Sequence, residues 1–361
     1  MAKEIFRRFF GKQVAGILTE VHLVPELRAR ILDKLDNAPL EDNILFTDSQ
    51  LHASKEDLLS ALLTLLIADA EEINETVPVL LTHVETHFER LSDFHQGVYW
   101  HLKGYLAWRN DRSHYHAMAY LNRSHKILKG SGLVVSDYYR ARVYDTMGQI
   151  SYHLGHMEEA IEDFTLAISL RPPDLDSYGR ALTYGSLGRV HMDLGNYDDA
   201  IEFLRRDLEI MRSDYPQMTQ IQTQLLSNLG LCHRENQQLD QAEKHYQESL
   251  TFAKNSQHAI SLFFAYVGLG KIAVYRKNLE QATAWEDKAV STFQAKIPDA
   301  QLEIKGNLKH LSAQIAMLRG DLKAAASYFK KGLKYYQSSK FTSPTELASF
   351  LLDYAQVTTQ L

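Results

Sequence analysis

The sequence predicts an all-α chain: an array of stacked helix hairpins with a helical bundle at its N-terminus and a capping helix at its C-terminus. Three observations predict this. Small and aromatic residues return together at a period of 40 to 44 residues, the mark of a repeat array. Glycine and proline number only 18 and 8 in 361 residues, so no Gly- or Pro-rich linker interrupts the chain. Apolar residues also fall at helical spacing, as at Leu347, Phe350, Leu351 and Tyr354.

Residues 1–93 lack the repeat and read as helices over about 3–17, 22–36, 54–73 and 77–91. Ser54 to Asp57 resembles a capping box, and the stretch 36–54 reads as a loop. The apolar run LLSALLTLLIA, from Leu58 to Ala68, is about half a membrane span and is flanked by charges, so it reads as a core helix. The basic, apolar start MAKEIFRRFFGKQ lacks a signal peptide's apolar segment and cleavage site. The expected location is cytoplasmic, and the single cysteine, Cys232, suits a reducing compartment.

The repeats begin roughly, near Gly97, with Trp100 and Gly104. The second copy carries Tyr144, Met147 and Gly148 on its first helix, a turn at Gly155, and then Ala160, Phe164 and Ala167. The third reads Tyr184, Leu187, Gly188, Gly195, Ala200 and Leu204. The fourth has Leu226, Leu229, Gly230, Ala242 and Tyr246, and the fifth Tyr266, Leu269, Gly270, Ala282 and Ala289. The sixth keeps Gly320, Ala325 and Phe329, with Ala313 in the glycine's place. The physical reason is close approach: a small residue on one helix makes room for a large one on its partner. A lone hairpin leaves an apolar face open, so it must stack on neighbours. A final helix opening at Ser343-Pro344-Thr345 and running to about Thr359 would cover the last copy.

GHMEEAIEDF and GNYDDAIEFL resemble the tetratricopeptide repeat family over roughly residues 94–337. The 40–43-residue unit resembles its long-helix subgroup, and the layout is loosely similar to Rap-type bacterial peptide-responsive regulators. The resemblance implies a right-handed superhelical solenoid, with domains at 1–93 (bundle or cap), 94–337 (about six hairpins) and 338–361 (capping helix). It also implies that first helices line a concave groove. Carried over position by position, the expected partner-binding residues are Arg142, Gln149, Arg189, Gln224, Asn228, Arg234, Lys271, Asn307 and Gln314. His310 belongs to the same lining, as do His101, Tyr105, Trp108 and Arg109 in the first copy. Amide side chains pair with an extended backbone and arginines with carboxylates, so the expected ligand is a peptide or protein tail with some negative charge. Of the clamp that chaperone-tail binders use, only Asn228 is present, which disfavours that ligand.

Catalysis is not expected. THVETH places His83 and His87 one helical turn apart, but Glu85 is one position late for the HExxH zinc motif. Half-buried helix histidines are the plainer reading, and neither metal nor cofactor is predicted. Cys232 and His233 are adjacent and point about 100° apart on a helix, so Cys232 reads as a packing residue. Phosphate loops, GxSxG elbows and kinase signatures are missing from the sequence.

A net charge of −6 gives no pull toward nucleic acid or membrane. Acids crowd the starts of second helices, where the helix dipole favours them, while Lys323, Lys330, Lys331, Lys334 and Lys340 make the C-terminal hairpin basic. Head-to-tail self-association would then appear as a salt-dependent sedimentation coefficient. The expected function is a non-catalytic protein- or peptide-binding scaffold or adaptor. A peptide-responsive switch acting through the N-terminal bundle is the alternative, and a metal enzyme built on His83 and His87 a remote third.

Overall fold

A computed structural model describes Leu81, Glu85 and residues 88–361 apart from 111, 132–133, 172–175, 257, 298–301 and 340–343. The expected bundle helices before residue 80, and His83 and His87, lie outside the described residues. After a short 3-10 turn at Phe88–Arg90, the described residues form α-helices and no strand. The helices are α1 (Asp93–Arg109), α2 (His114–Gly130), α3 (Val134–Leu154), α4 (Met157–Leu170), α5 (Ser177–Asp193), α6 (Tyr197–Asp214) and α7 (Thr219–Glu235). They continue as α8 (Leu239–Ser256), α9 (Ala259–Tyr275), α10 (Leu279–Lys296), α11 (Leu302–Leu318), α12 (Leu322–Ser338) and α13 (Pro344–Gln360). The chain divides into two compact units, Met1–Gly179 and Arg180–Leu361, taken separately below.

In the first unit α1 packs on α2 and α3 on α4. A methyl group on Gly104 would sit 2.7 Å from the Leu121 side chain, and one on Gly148 2.9 Å from the Phe164 ring. The small residues of the pattern are thus spaces that the partner helix fills. Ser124 reinforces the first pair by donating to the Gly97 carbonyl at 2.6 Å. His101 lies 3.4 Å from the Thr146 hydroxyl between α1 and α3, and its pKa is pushed down to about 3 by burial, with Arg142 adding to the effect. It serves packing in its neutral form.

The second unit repeats the scheme. Gly188 faces Leu204, and Gly230 faces Tyr246, whose ring also fills the space beside Gly268. The fifth copy departs from it: Gly270 makes room chiefly for Leu311, on the first helix of the next hairpin, with Trp285 of its own hairpin further off. The sixth buries Ala313, Ala325 and Phe329 completely, as its pattern requires.

Five of the hairpin turns share one geometry, which the first, with Arg112 at φ 52°, does not. At Gly155, Gly195, Gln237, Lys277 and Gly320 the backbone enters the left-handed region, with φ between 57° and 83°. In each, that residue's N–H bonds the carbonyl three residues back, and the next N–H bonds the carbonyl five back, as in Gln238 to His233 at 2.8 Å. This is the Schellman closure, which satisfies carbonyls at the end of each first helix. Asn278 and Asp321 then cap the following helices by accepting from Gln281 N at 3.1 Å and Ala324 N at 2.9 Å.

Helix α13 packs on α11 and α12, with Phe350 and Val357 fully buried. Leu347 and Tyr354 are partly buried against the same cluster, but Leu351 is 44% exposed and Leu352 72%. The buried face is therefore narrower than the apolar pattern suggests, because Thr345 and Glu346 take part of it.

Candidate functional groove

Two of the expected residues, Arg142 and Gln149, lie on α3 in the first unit, both half-buried. Arg142 packs along its own helix, with Nη1 3.5 Å from the Tyr138 hydroxyl. Nearby, Arg171 binds Asp145 and, at 2.9 Å, Asp176. Asp176 also accepts from Gly179 N at 2.8 Å, so this charged knot anchors the start of α5.

The other seven are in the second unit and fall into two groups. Arg189 and Gln224 are exposed and Asn228 is half-buried, leaving polar groups accessible on α5 and α7. Arg234, Lys271, Asn307 and Gln314 are buried instead, with Lys271 only 1% exposed. The chain itself covers these four, which the sequence alone places on an open lining. Asn307 donates to the Glu303 carbonyl of its own helix at 3.3 Å.

What covers the rest is α13. Glu346, in its first turn, accepts from Arg234 at 3.1 Å through one carboxylate oxygen and from Lys271 through the other. One residue earlier, Thr345 donates to the Met192 carbonyl at the end of α5, at 2.8 Å. Two turns further along, Asp353 accepts from Gln314 at 2.7 Å and from His310 Nε2 at 2.9 Å. The ends of α5, α7, α9 and α11 are thereby gathered on one helix.

Electrostatics follow from this packing. Burial by itself would raise the Glu346 pKa, but Lys271 and Arg234 outweigh it and hold the carboxyl well below its usual range. Burial lowers the Lys271 pKa, with Glu346 opposing and Arg234 reinforcing the shift. Glu235 is a second anchor for Arg234, at 2.6 Å. Burial is the chief cause that lowers the His310 pKa, and the His310 and Gln314 hydrogen bonds lower that of Asp353 despite its own burial.

Reading the sequence found the cationic side of this cluster and missed the acidic side. Glu346 looks like an ordinary helix-start acid. Cys232 is fully buried and its thiol is pushed up to about 12 by burial, so it is a packing residue. Among the described residues no three His, Cys, Asp or Glu side chains gather as a metal site, and no helix is long and apolar enough to cross a membrane.

Comparison with known proteins agrees with this architecture. Three models described as tetratricopeptide repeat match residues 141–174, 183–214 and 222–295. No curated protein matches the sequence. Among solved structures, the chain is similar to aspartyl phosphate phosphatase F from Bacillus subtilis, at 15% identity and a TM-score of 0.56. That match covers 99% of this chain and 92% of the other. The apo form of RapI matches at 14% identity and a TM-score of 0.54, over 80% and 94% of the two chains. At these identities the likeness is one of fold. The chain thus carries tetratricopeptide repeats over the matched residues, 141–174, 183–214 and 222–295.

Proposed function

We propose that this chain is a non-catalytic, cytoplasmic module that binds a protein or an extended peptide along the shared face of its first helices. The observation that carries the reading is the gathering of Arg234, Lys271, His310 and Gln314 from three successive first helices onto one acidic segment. A surface that already holds two carboxylates through cations and amide donors has the chemistry to recognise an acidic peptide. Residues 1–93, 94–337 and 338–361 would act as cap, repeat array and C-terminal cap. Neither cofactor nor nucleic acid has a part in this reading.

Capture from the native cells tests it. Wild type is compared with Arg189→Glu/Gln224→Ala/Asn228→Ala, which alters the accessible part of the face and leaves buried Arg234 alone. A protein recovered with wild type and lost from the variant supports the groove. Recovery of the same partners with both would move binding to another surface.

A further inference from the structure

Lysine and arginine side chains are seldom buried, and a buried ion pair stabilises a fold less well than apolar groups of the same volume. A helix needed only as a lid would do as well with apolar residues at 234, 271 and 346 together, in place of the whole charged cluster. Instead α13 brings two acids to one side of itself, seven residues or about 10 Å apart. Each is held by donors from different helices: Glu346 by Arg234 and Lys271, Asp353 by His310 and Gln314. Taking α13 away would remove both carboxylates and leave Arg234 with Glu235 alone and Lys271 with none of the Glu346 contact. The face left behind is cationic and donor-rich.

We propose that Arg234 and Lys271 form a carboxylate-binding site, that α13 occupies it as a built-in ligand through Glu346, and that its external ligand is a partner's amphipathic helix with two acids two turns apart. The inference rests on the peptide-binding reading above and adds the ligand class and its competitor. An outside segment must displace α13, whose tether gives it a high effective concentration. Binding in trans is therefore weak until α13 is loosened.

The test uses the full chain and a fluorescein-labelled peptide of residues 344–361, PTELASFLLDYAQVTTQL, as the probe. Glu346→Lys in the chain places a cation against Arg234 and Lys271 and should expel α13. The peptide should then bind the variant at least about tenfold more tightly than wild type, the tether no longer competing. A peptide carrying Glu346→Gln and Asp353→Asn should lose about tenfold or more in affinity for the same variant, since both carboxylates are charge-assisted acceptors. Equal affinity for both chains, or no binding to a folded variant, overturns the proposal.

Hydrogen exchange on wild type needs no substitution and decides the case if the variant fails to fold. Amides of α13 should exchange about a hundredfold faster than those of α11, by local opening. Equal protection of the two helices would make α13 a fixed part of the core and overturn the proposal. That outcome leaves the capture experiment untouched, because Arg189, Gln224 and Asn228 lie outside the ion-pair cluster.

Discussion

Asp207 shows how a single residue can work against its own fold. It lies on α6 and is 2% exposed, and its Oδ1 has no hydrogen-bond partner. Gly185 on α5 makes room for it: a methyl group there would stand 2.4 Å from Oδ2. Burial pushes its pKa up to about 7, against an ordinary value of 3.8. Between those two values the folded chain holds a proton that the unfolded chain has lost. The contribution of Asp207 to stability therefore falls as pH rises from about 4 to about 7 and levels off above it. Asp207→Asn should make this decline shallower, leaving the part due to Asp163, whose carboxyl burial also pushes up to about 7, and leave the chain more stable at pH 8 by on the order of 2–4 kcal/mol. Urea melts at pH 4.5, 6 and 8 would show it. Parallel pH slopes for wild type and variant would place the titrating group elsewhere.

At the scale of the element, the hairpin is set by one close approach and one left-handed turn. Gly148→Ala gains helix propensity worth about 1 kcal/mol but presses a methyl against the Phe164 ring at 2.9 Å. Overpacking of a filled core costs about 1–3 kcal/mol, so a net loss and a lower melting temperature are expected. The turns invite the opposite change. Gln237 and Lys277 occupy the position that is glycine at 155, 195 and 320, with φ of 59° and 57°. A side chain costs roughly 1 kcal/mol in that region, and glycine gives some of it back in unfolded-chain entropy. Gln237→Gly and Lys277→Gly should each stabilise by about 0.5 kcal/mol, read as a shift in denaturant midpoint at constant slope. A loss of stability would mean that side-chain contacts at these two turns outweigh the backbone strain.

Across the whole molecule, the net charge of −6 gives no hint that a cationic face exists. Much of the acid sits at second-helix starts and is met locally, as where Asn236 donates to Asp198 at 2.7 Å and Arg206 pairs with Glu202. The acids that matter to the groove are the two on α13, and they hide the positive charge by neutralising it. In the proposed reading, function at this scale is a competition for one face. Substitutions at Arg189, Gln224 and Asn228 touch that face where it is still open. Changes at exposed or half-exposed sites away from buried networks usually stay within about 0.5 kcal/mol each. The melting temperature of the triple variant should accordingly lie within a few degrees of wild type. A larger drop would show that these side chains carry packing, and loss of a partner would then report on the fold.

The sequence by itself determined the helices of the repeat array, most of the hairpin contacts and the turns that glycine marks. Those features depend on residues about 16 apart, such as Gly148 and Phe164 or Gly188 and Leu204, and steric fit at that range leaves a periodic trace. It also marked Arg234, Lys271 and Gln314 as first-helix residues free of the packing pattern. Only the tertiary structure decided what they face. Arg234 and Glu346 are 112 residues apart, and nothing periodic links them. In TSPTELASF, Glu346 is an acid in the first turn of a helix, which the helix dipole alone would explain. Local sterics repeat with the unit and can be read from one chain. A charge pair formed when the last helix folds back across four earlier ones occurs once, and leaves no such record.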